Sequence, residues 1–189
     1  MDAKGLIRAA LVITVLSVIL LGGVYPLAVW GVARVAFSSN AEGSLVQRNG
    51  ETVGSSLIGQ RFTSDKYFHG RPSAAGKDGY DATASSGSNL GPTSKALADR
   101  ISADRLTLSA SDGANPPGDL LTTSASGLDP HISVAAARYQ VPRIARARHL
   151  DASAMEALIA THTEGRTLGF LGEPRVNVLL LNLELDALH

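Results

Sequence analysis

Ser124, Ser126, Asp129 and His131 gather, within eight positions, the residue types of a nucleophile, an orienting acid and a general base. A hydrolytic triad draws its members from separate parts of a fold, because side chains this close in sequence seldom face one another, and the G-x-S-x-G elbow is missing. Helix capping by Asp129 and turn hydrogen bonds from the serines account for the cluster more economically. Gly87-Ser-Asn-Leu-Gly91, ahead of an expected helix, invites a phosphate-loop reading. That loop needs four residues between its glycines and a Gly-Lys-Ser/Thr ending, whereas here the spacing is three and Pro92 removes a donor. A tight ordered turn, with glycine for positive φ, is the alternative.

Metal and thiol chemistry have little support. The five histidines form neither HExxH nor another short ligand spacing, and His162 reads as a residue near the negative end of a helix. No cysteine is present, which excludes disulfides, thiolate catalysis and cysteine metal sites. Between Pro130 and Leu150 stand Arg138, Arg143, Arg146 and Arg148 with no acid among them. They read as a solvated helix face, or else as a docking surface or an electrostatic screen for cations.

These residues need a compartment, and the N-terminus supplies it. Residues 9–33 carry no charge over 25 positions, with Lys4 and Arg8 just before them. About 20 apolar residues cross a bilayer, so the run is one transmembrane helix with room for tilt. A cleaved signal, with Ser39-Asn40-Ala41 as its site, is the alternative, but the apolar region of a signal runs only about 7–15 residues. Pro26 is expected to kink the helix, and Tyr25 and Trp30 suit the outer interface. Small residues at Gly22, Gly23 and Ala28 would let a partner helix approach. Lys4 and Arg8 outnumber Arg34, which places the N-terminus (residues 1–8) in the cytoplasm and residues 34–189 outside, in the periplasm of a cell with an outer membrane. Setting aside Asp2, Lys4, Arg8 and Arg34 leaves 14 basic and 16 acidic residues, so nothing suggests nucleic acid as a partner.

The outer segment is long enough for one domain with a core. Asn49-Gly50 marks a turn, and Val53 to Phe62 is expected to hold short strands. From His69 to Ser94, five glycines and five serines form a long loop, anchored by Tyr67, Phe68 and Tyr80 and read as ordered. A helix is expected after Gly91 with Pro92 at its first position, buried through Leu97, Ile101 and Leu108 and braced by Lys95/Asp99 and Arg100/Asp104. Further helices are expected from Pro130 to Tyr139, with Asp129 as N-cap, and from Pro142 to His149. Another follows a capping box at Ser153–Glu156, with Met155, Leu158, Ile159 and His162 on one face. Val176 to Leu185, with leucines at 179, 181, 183 and 185, reads as a terminal strand. The fold class is α+β: a single N-terminal transmembrane helix followed by one extracytoplasmic globular domain.

Five blocks then carry a resemblance: His69-Gly-Arg-Pro-Ser-Ala; Ser85-Ser-Gly-Ser-Asn-Leu-Gly-Pro-Thr-Ser; Thr122-Thr-Ser-Ala-Ser-Gly-Leu-Asp-Pro-His-Ile-Ser; Tyr139-Gln-Val-Pro-Arg; and residues 162–179, from His162-Thr-Glu-Gly-Arg to Arg175-Val-Asn-Val-Leu. In this order they resemble the C subunit of the Kdp potassium-transporting, P-type ATPase over the whole chain. The resemblance implies a complex in the bacterial inner membrane that uses ATP, Mg and potassium, with a channel-like subunit and an ATP-hydrolysing subunit as partners beside membrane lipid. It implies an accessory subunit with no catalytic residue and no cofactor or metal of its own, which stabilises or assembles the other two. The alternative it carries is a catalytic chaperone that raises the ATPase subunit's affinity for ATP, with Ser85, Ser86, Gly87, Asn89 and Gly91 as the nucleotide or partner contact. The topology expected from the basic flanks argues against direct contact with cytoplasmic ATP.

Overall fold

The structure is a computed structural model that describes residues 2–188. They form two compact units divided between Leu45 and Val46.

The first unit is built on α1 (Ala3–Ile19) and α2 (Tyr25–Ala36), joined by a π-helical turn at Leu20–Val24. Asp2 caps α1 by accepting the Gly5 N–H at 3.1 Å. The whole helical run, Ala3–Ala36, is long and apolar enough to cross a membrane, and none of its apolar stretch is buried within the chain. Ahead of Pro26, where a kink was expected, the ladder widens: the Tyr25 N–H bonds the carbonyl of Leu20. Proline cannot bond the carbonyl four residues back and its ring would crowd it, so one extra residue in the preceding turn relieves both problems. Beyond α2 a single turn, α3 (Ser38–Ala41), lies near an Arg34–Glu42 ion pair of 3.2 Å.

A hairpin of β1 (Leu45–Arg48) and β2 (Glu51–Ser55) follows. Asn49 and Gly50 join the strands with φ of +54° and +84°, the left-handed pair that matches the twist of flanking strands. Residues 56–94 then run without regular structure until α4 (Lys95–Ser111). The remaining elements are β3 (His131–Ser133), α5 (Val134–Arg148), α6 (Ala152–Thr161), β4 (Thr163–Glu164), β5 (Arg175–Asn177) and α7 (Val178–Leu185). The strands form a small antiparallel sheet in the order β3-β5-β4, with Ile132 opposite Val176 and Thr163 opposite the same valine. The helices pack on it through Ala136, Ala137, Val141 and Ile144 of α5, Met155 and Ile159 of α6, and Val178, Leu181 and Leu185 of α7, closing over Phe68. The architecture is α+β.

Several local expectations are corrected. Val178–Leu185 is a helix, not a strand: Val178, Leu181, Asn182 and Leu185 fall on one buried helical face, and Asn177 caps it by accepting the Leu180 N–H at 3.2 Å. A short leucine-rich run satisfies both periods, so only the sheet partners of β5 and the cap decide. Pro92 does not start α4. It sits at the second position of a turn in which the Ser94 N–H bonds the Gly91 carbonyl at 3.0 Å, and the helix begins at Lys95. The stripe at Leu97, Ile101 and Leu108 is only half-buried, and Arg100 turns to the Leu121 carbonyl rather than to Asp104. Finally, α5 runs unbroken through Pro142, because Pro142 lies on the exposed face where water can take the carbonyl that loses its donor. Its cap is Ser133, whose Oγ accepts the Ala136 N–H at 3.0 Å, not Asp129; α6 starts at Ala152 after Asp151, ahead of the expected Ser153 box.

Candidate functional site

The polar centre of the second unit is a clamp on residues 65–69. Two amides buried in the helices read the backbone of consecutive residues as a neighbouring strand would. Asn182 of α7 accepts the Phe68 N–H at 2.8 Å and donates to the Phe68 carbonyl at 2.9 Å. Gln140 of α5 accepts the His69 N–H at 2.7 Å and donates to its carbonyl at 3.1 Å. One turn further along α5, Arg143 donates to the carbonyls of Asp65 and Tyr67 at 2.7 and 3.1 Å and to Gln140 Oε1 at 2.9 Å. Its charge is met by Asp112 at 2.6 Å, with side chains 5% and 1% exposed. Arg148 completes the row: it stacks over the Tyr67 ring, bonds the Lys66 carbonyl at 2.7 Å and pairs with Asp186 at 2.6 Å. Burial and Arg143 hold His69 below its ordinary pKa, and its Nε2 meets the Ser64 carbonyl at 3.0 Å, an interaction that needs the Nε2–H tautomer.

The cluster that suggested a triad is placed differently. Asp129 accepts the His131 backbone N–H at 3.0 Å and pairs with Arg71 at 2.9 Å. Burial raises its pKa, but the hydrogen bonds from His131 and Arg71 outweigh that and bring it to about 2. The His131 Nδ1 lies 3.6 Å from Asp129, and its Nε2 faces Glu164 at 3.8 Å instead of a serine hydroxyl. Ser124 and Ser126 have their hydroxyls 3.4 Å apart, and Ser126 Oγ accepts the Leu128 N–H at 3.1 Å. An acid beside a histidine is present; a nucleophile in line with it is not among these contacts.

The serine- and glycine-rich block is tied to the same loop. Ser86 donates its N–H to the Ser126 carbonyl at 2.9 Å, and the Ser85 hydroxyl donates to that carbonyl at 3.0 Å. The two segments cross so closely that a Cβ on Gly127, at φ +65°, would meet the Ser86 carbonyl oxygen at 2.5 Å. A Cβ on Gly87 would meet the Ala125 carbonyl oxygen at 3.0 Å, Asn89 takes φ +52°, and Gly91 accepts from Ser94. Beside this region a cleft of about 300 Å³ is lined by Arg61, His69, Arg71, Tyr80, Asp104 and Gln140. Much of its polar lining is engaged inward: Tyr80, whose phenol is pushed up to about 12 by burial and by Asp129, donates to the Arg71 carbonyl at 2.6 Å.

The four arginines of α5 do not form one solvated face. Arg143 is buried and Arg148 is turned onto Tyr67, while Arg138 pairs on the surface with Glu156 at 2.9 Å and Arg146 reaches the Ser111 carbonyl at 3.1 Å. Helical spacing explains the split, since 143 lies on the same face as the buried 136, 140 and 144. Gly22 and Gly23 lie in the π turn with nothing within 4 Å of an added Cβ, and Ala28 is exposed on α2. Sequence reasoning missed the clamp. Its one signal was polar Gln140 and Asn182 interrupting otherwise apolar helical faces, a position where a side chain must find a partner.

Comparison with known proteins adds what geometry alone does not. The family model described as K+-transporting ATPase, c chain, matches residues 7–187. A potassium-transporting ATPase KdpC subunit of Gemmatimonas aurantiaca is 55% identical over 185 residues, covering 96% of this chain and 92% of that protein. Those of Koribacter versatilis and Methylobacterium nodulans are 53% and 54% identical over 184 and 194 residues, covering 97% and 96% of this chain and 94% and 96% of theirs. With its apolar helix Ala3–Ala36 and an α+β domain matched almost end to end, this chain belongs to the KdpC family, as a transmembrane-helix-bearing subunit of the K+-transporting ATPase.

Proposed function

We propose that the chain is an accessory, non-catalytic subunit that assembles and stabilises the channel-like and ATP-hydrolysing subunits of an ATP-driven potassium-uptake complex in the bacterial inner membrane. Its N-terminus lies in the cytoplasm and its folded domain in the periplasm, as the flanks Lys4 and Arg8 against Arg34 favour. ATP, Mg and potassium act elsewhere in the complex. The observation that carries this reading is the helix itself: its apolar residues are exposed on every side, and Gly22 and Gly23 leave open space where a side chain would stand. A lone span gains nothing by being more apolar than lipid, so close packing at small residues is what a partner helix can use.

Replacing Gly22 and Gly23 with leucine keeps the span apolar but fills that space. The expected result is a chain still inserted in the membrane that co-purifies poorly with the channel-like and ATPase subunits. Wild-type assembly and potassium uptake by the double variant would reduce the helix to an anchor and overturn its role in packing.

A further inference from the structure

Between β4 and β5 the chain forms a closed knuckle that the fold does not use. Thr167 and Leu171 exchange backbone hydrogen bonds of 2.9 and 3.0 Å, and the N–H groups of Gly169 and Phe170 reach back to the carbonyls of Arg166 and Thr167 at 3.0 and 3.3 Å. At its tip Leu168, Phe170 and Leu171 are 80%, 69% and 50% exposed. Leu168 also holds φ +54°, a conformation that an L side chain adopts only at a cost and that asparagine or glycine would take more easily. Exposed apolar surface and a strained leucine at one point break two local rules with no gain to the folded domain, and such breaks concentrate at functional positions.

The surroundings indicate what covers the tip. Its rim consists of two ion pairs, Arg166–Glu173 at 2.7 Å and Arg175–Glu164 at 2.9 Å, so it carries no net charge. Shallow apolar insertion holds to a bilayer stably only with a second attraction, commonly basic residues against anionic headgroups, and this rim offers none. Three side chains are also far below the roughly 1,000 Å² that a self-standing interface between two copies would bury. An apolar anchor ringed by ion pairs has instead the anatomy of a hot spot in a protein–protein contact. The N–H groups of Thr167, Gly169, Phe170 and Leu171 are already bonded within the knuckle, which lowers the cost of taking them out of water. Residues 37–44, at most roughly 30 Å of chain when extended, tether the domain near the membrane and raise the effective concentration of any partner embedded there.

We propose that residues 167–171 are a docking key, which seats Leu168 and Phe170 in an uncharged apolar pocket on the extracytoplasmic face of a sibling subunit of the complex. This rests on the assembly role and orientation given above. The test uses the complex with the full-length chain: a photo-reactive benzophenone side chain replaces Phe170, and separately Leu168→Asn is combined with Phe170→Ser, which keeps the turn and removes the apolar tip. The expected result is a crosslink to one sibling subunit and a roughly tenfold loss of the variant from the washed complex, with its thermal midpoint unchanged. Crosslinks only to lipid or to a second copy of the chain, or wild-type retention of the variant, would overturn the proposal. A strain lacking the chain separates the two readings: if the siblings need the chain yet keep the variant, the key alone is wrong, and if they assemble without it, the assembly role falls as well.

Discussion

Replacing Asn182 with leucine tests whether the buried amide clamp organises the long loop. Asn182 is 2% exposed and supplies both hydrogen-bonding partners of the Phe68 backbone, at 2.8 and 2.9 Å. Leucine fits the site by size but leaves a buried N–H and a buried carbonyl unmet, at about 1–3 kcal/mol each. Burying the added apolar surface returns about 1–2 kcal/mol, so from the middle of both ranges the net destabilisation is about 2–3 kcal/mol. For a domain of this size that lowers the midpoint by roughly 6–9 °C. Circular dichroism of the full-length chain in detergent follows the melt, and amide hydrogen exchange locates the damage. Protection should fall at Phe68 and His69 before it falls in α5. A midpoint within about 3 °C of wild type, with the Phe68 amide still protected, would refute the clamp.

Two further perturbations probe charge. Arg143→Met alone leaves Asp112 buried without its partner and should cost about 3–5 kcal/mol in a denaturant titration, whereas adding Asp112→Leu should restore more than half of that loss. No recovery in the double variant would mean that the carbonyls of Asp65 and Tyr67, not the ion pair, dominate. Asp129 has its pKa drawn down from 3.8 to about 2, so its stabilisation is fully present above about pH 4 and is lost as the pH falls toward 2. Asp129→Asn should therefore flatten the acid limb of a stability-against-pH curve across that window, and an unchanged limb would show that the pairing with Arg71 and His131 is worth little.

How much of this was legible depended on whether neighbours in sequence or in space decide an element. The membrane helix was legible because lipid demands an unbroken apolar run, and the β1–β2 turn because Asn49-Gly50 alone satisfies two left-handed positions. Pro92 fits both the first turn of a helix and the second position of a β-turn, so the start of α4 was misplaced by local reasoning. The run from Val178 to Leu185 carries both periods, and the cap from Asn177 chose helix. The clamp was invisible for a different reason. Gln140, Arg143 and Asn182 serve residues 65–69, more than 70 positions away, and a lone polar residue on an apolar face says that a partner exists without saying which. Arg143 read as surface for the same reason: its acid is Asp112, on a loop that no helical spacing connects to it.

The orientation of the folded domain decides between an assembly subunit and a nucleotide-binding modulator, and the absence of cysteine makes it directly measurable. Lys77 is exposed in the long loop, so Lys77→Cys gives the chain a single reactive thiol without touching the clamp or the helices. Intact cells expressing the complex with this variant are treated with a membrane-impermeant maleimide, with outer-membrane permeability ensured and a cytoplasmic cysteine protein as control. Labelling of the Lys77→Cys variant while the control stays unmodified is the expected outcome, and it places the domain outside, away from ATP. Labelling only after the inner membrane is broken would put the domain in the cytoplasm and bring the serine- and glycine-rich block back within reach of the nucleotide.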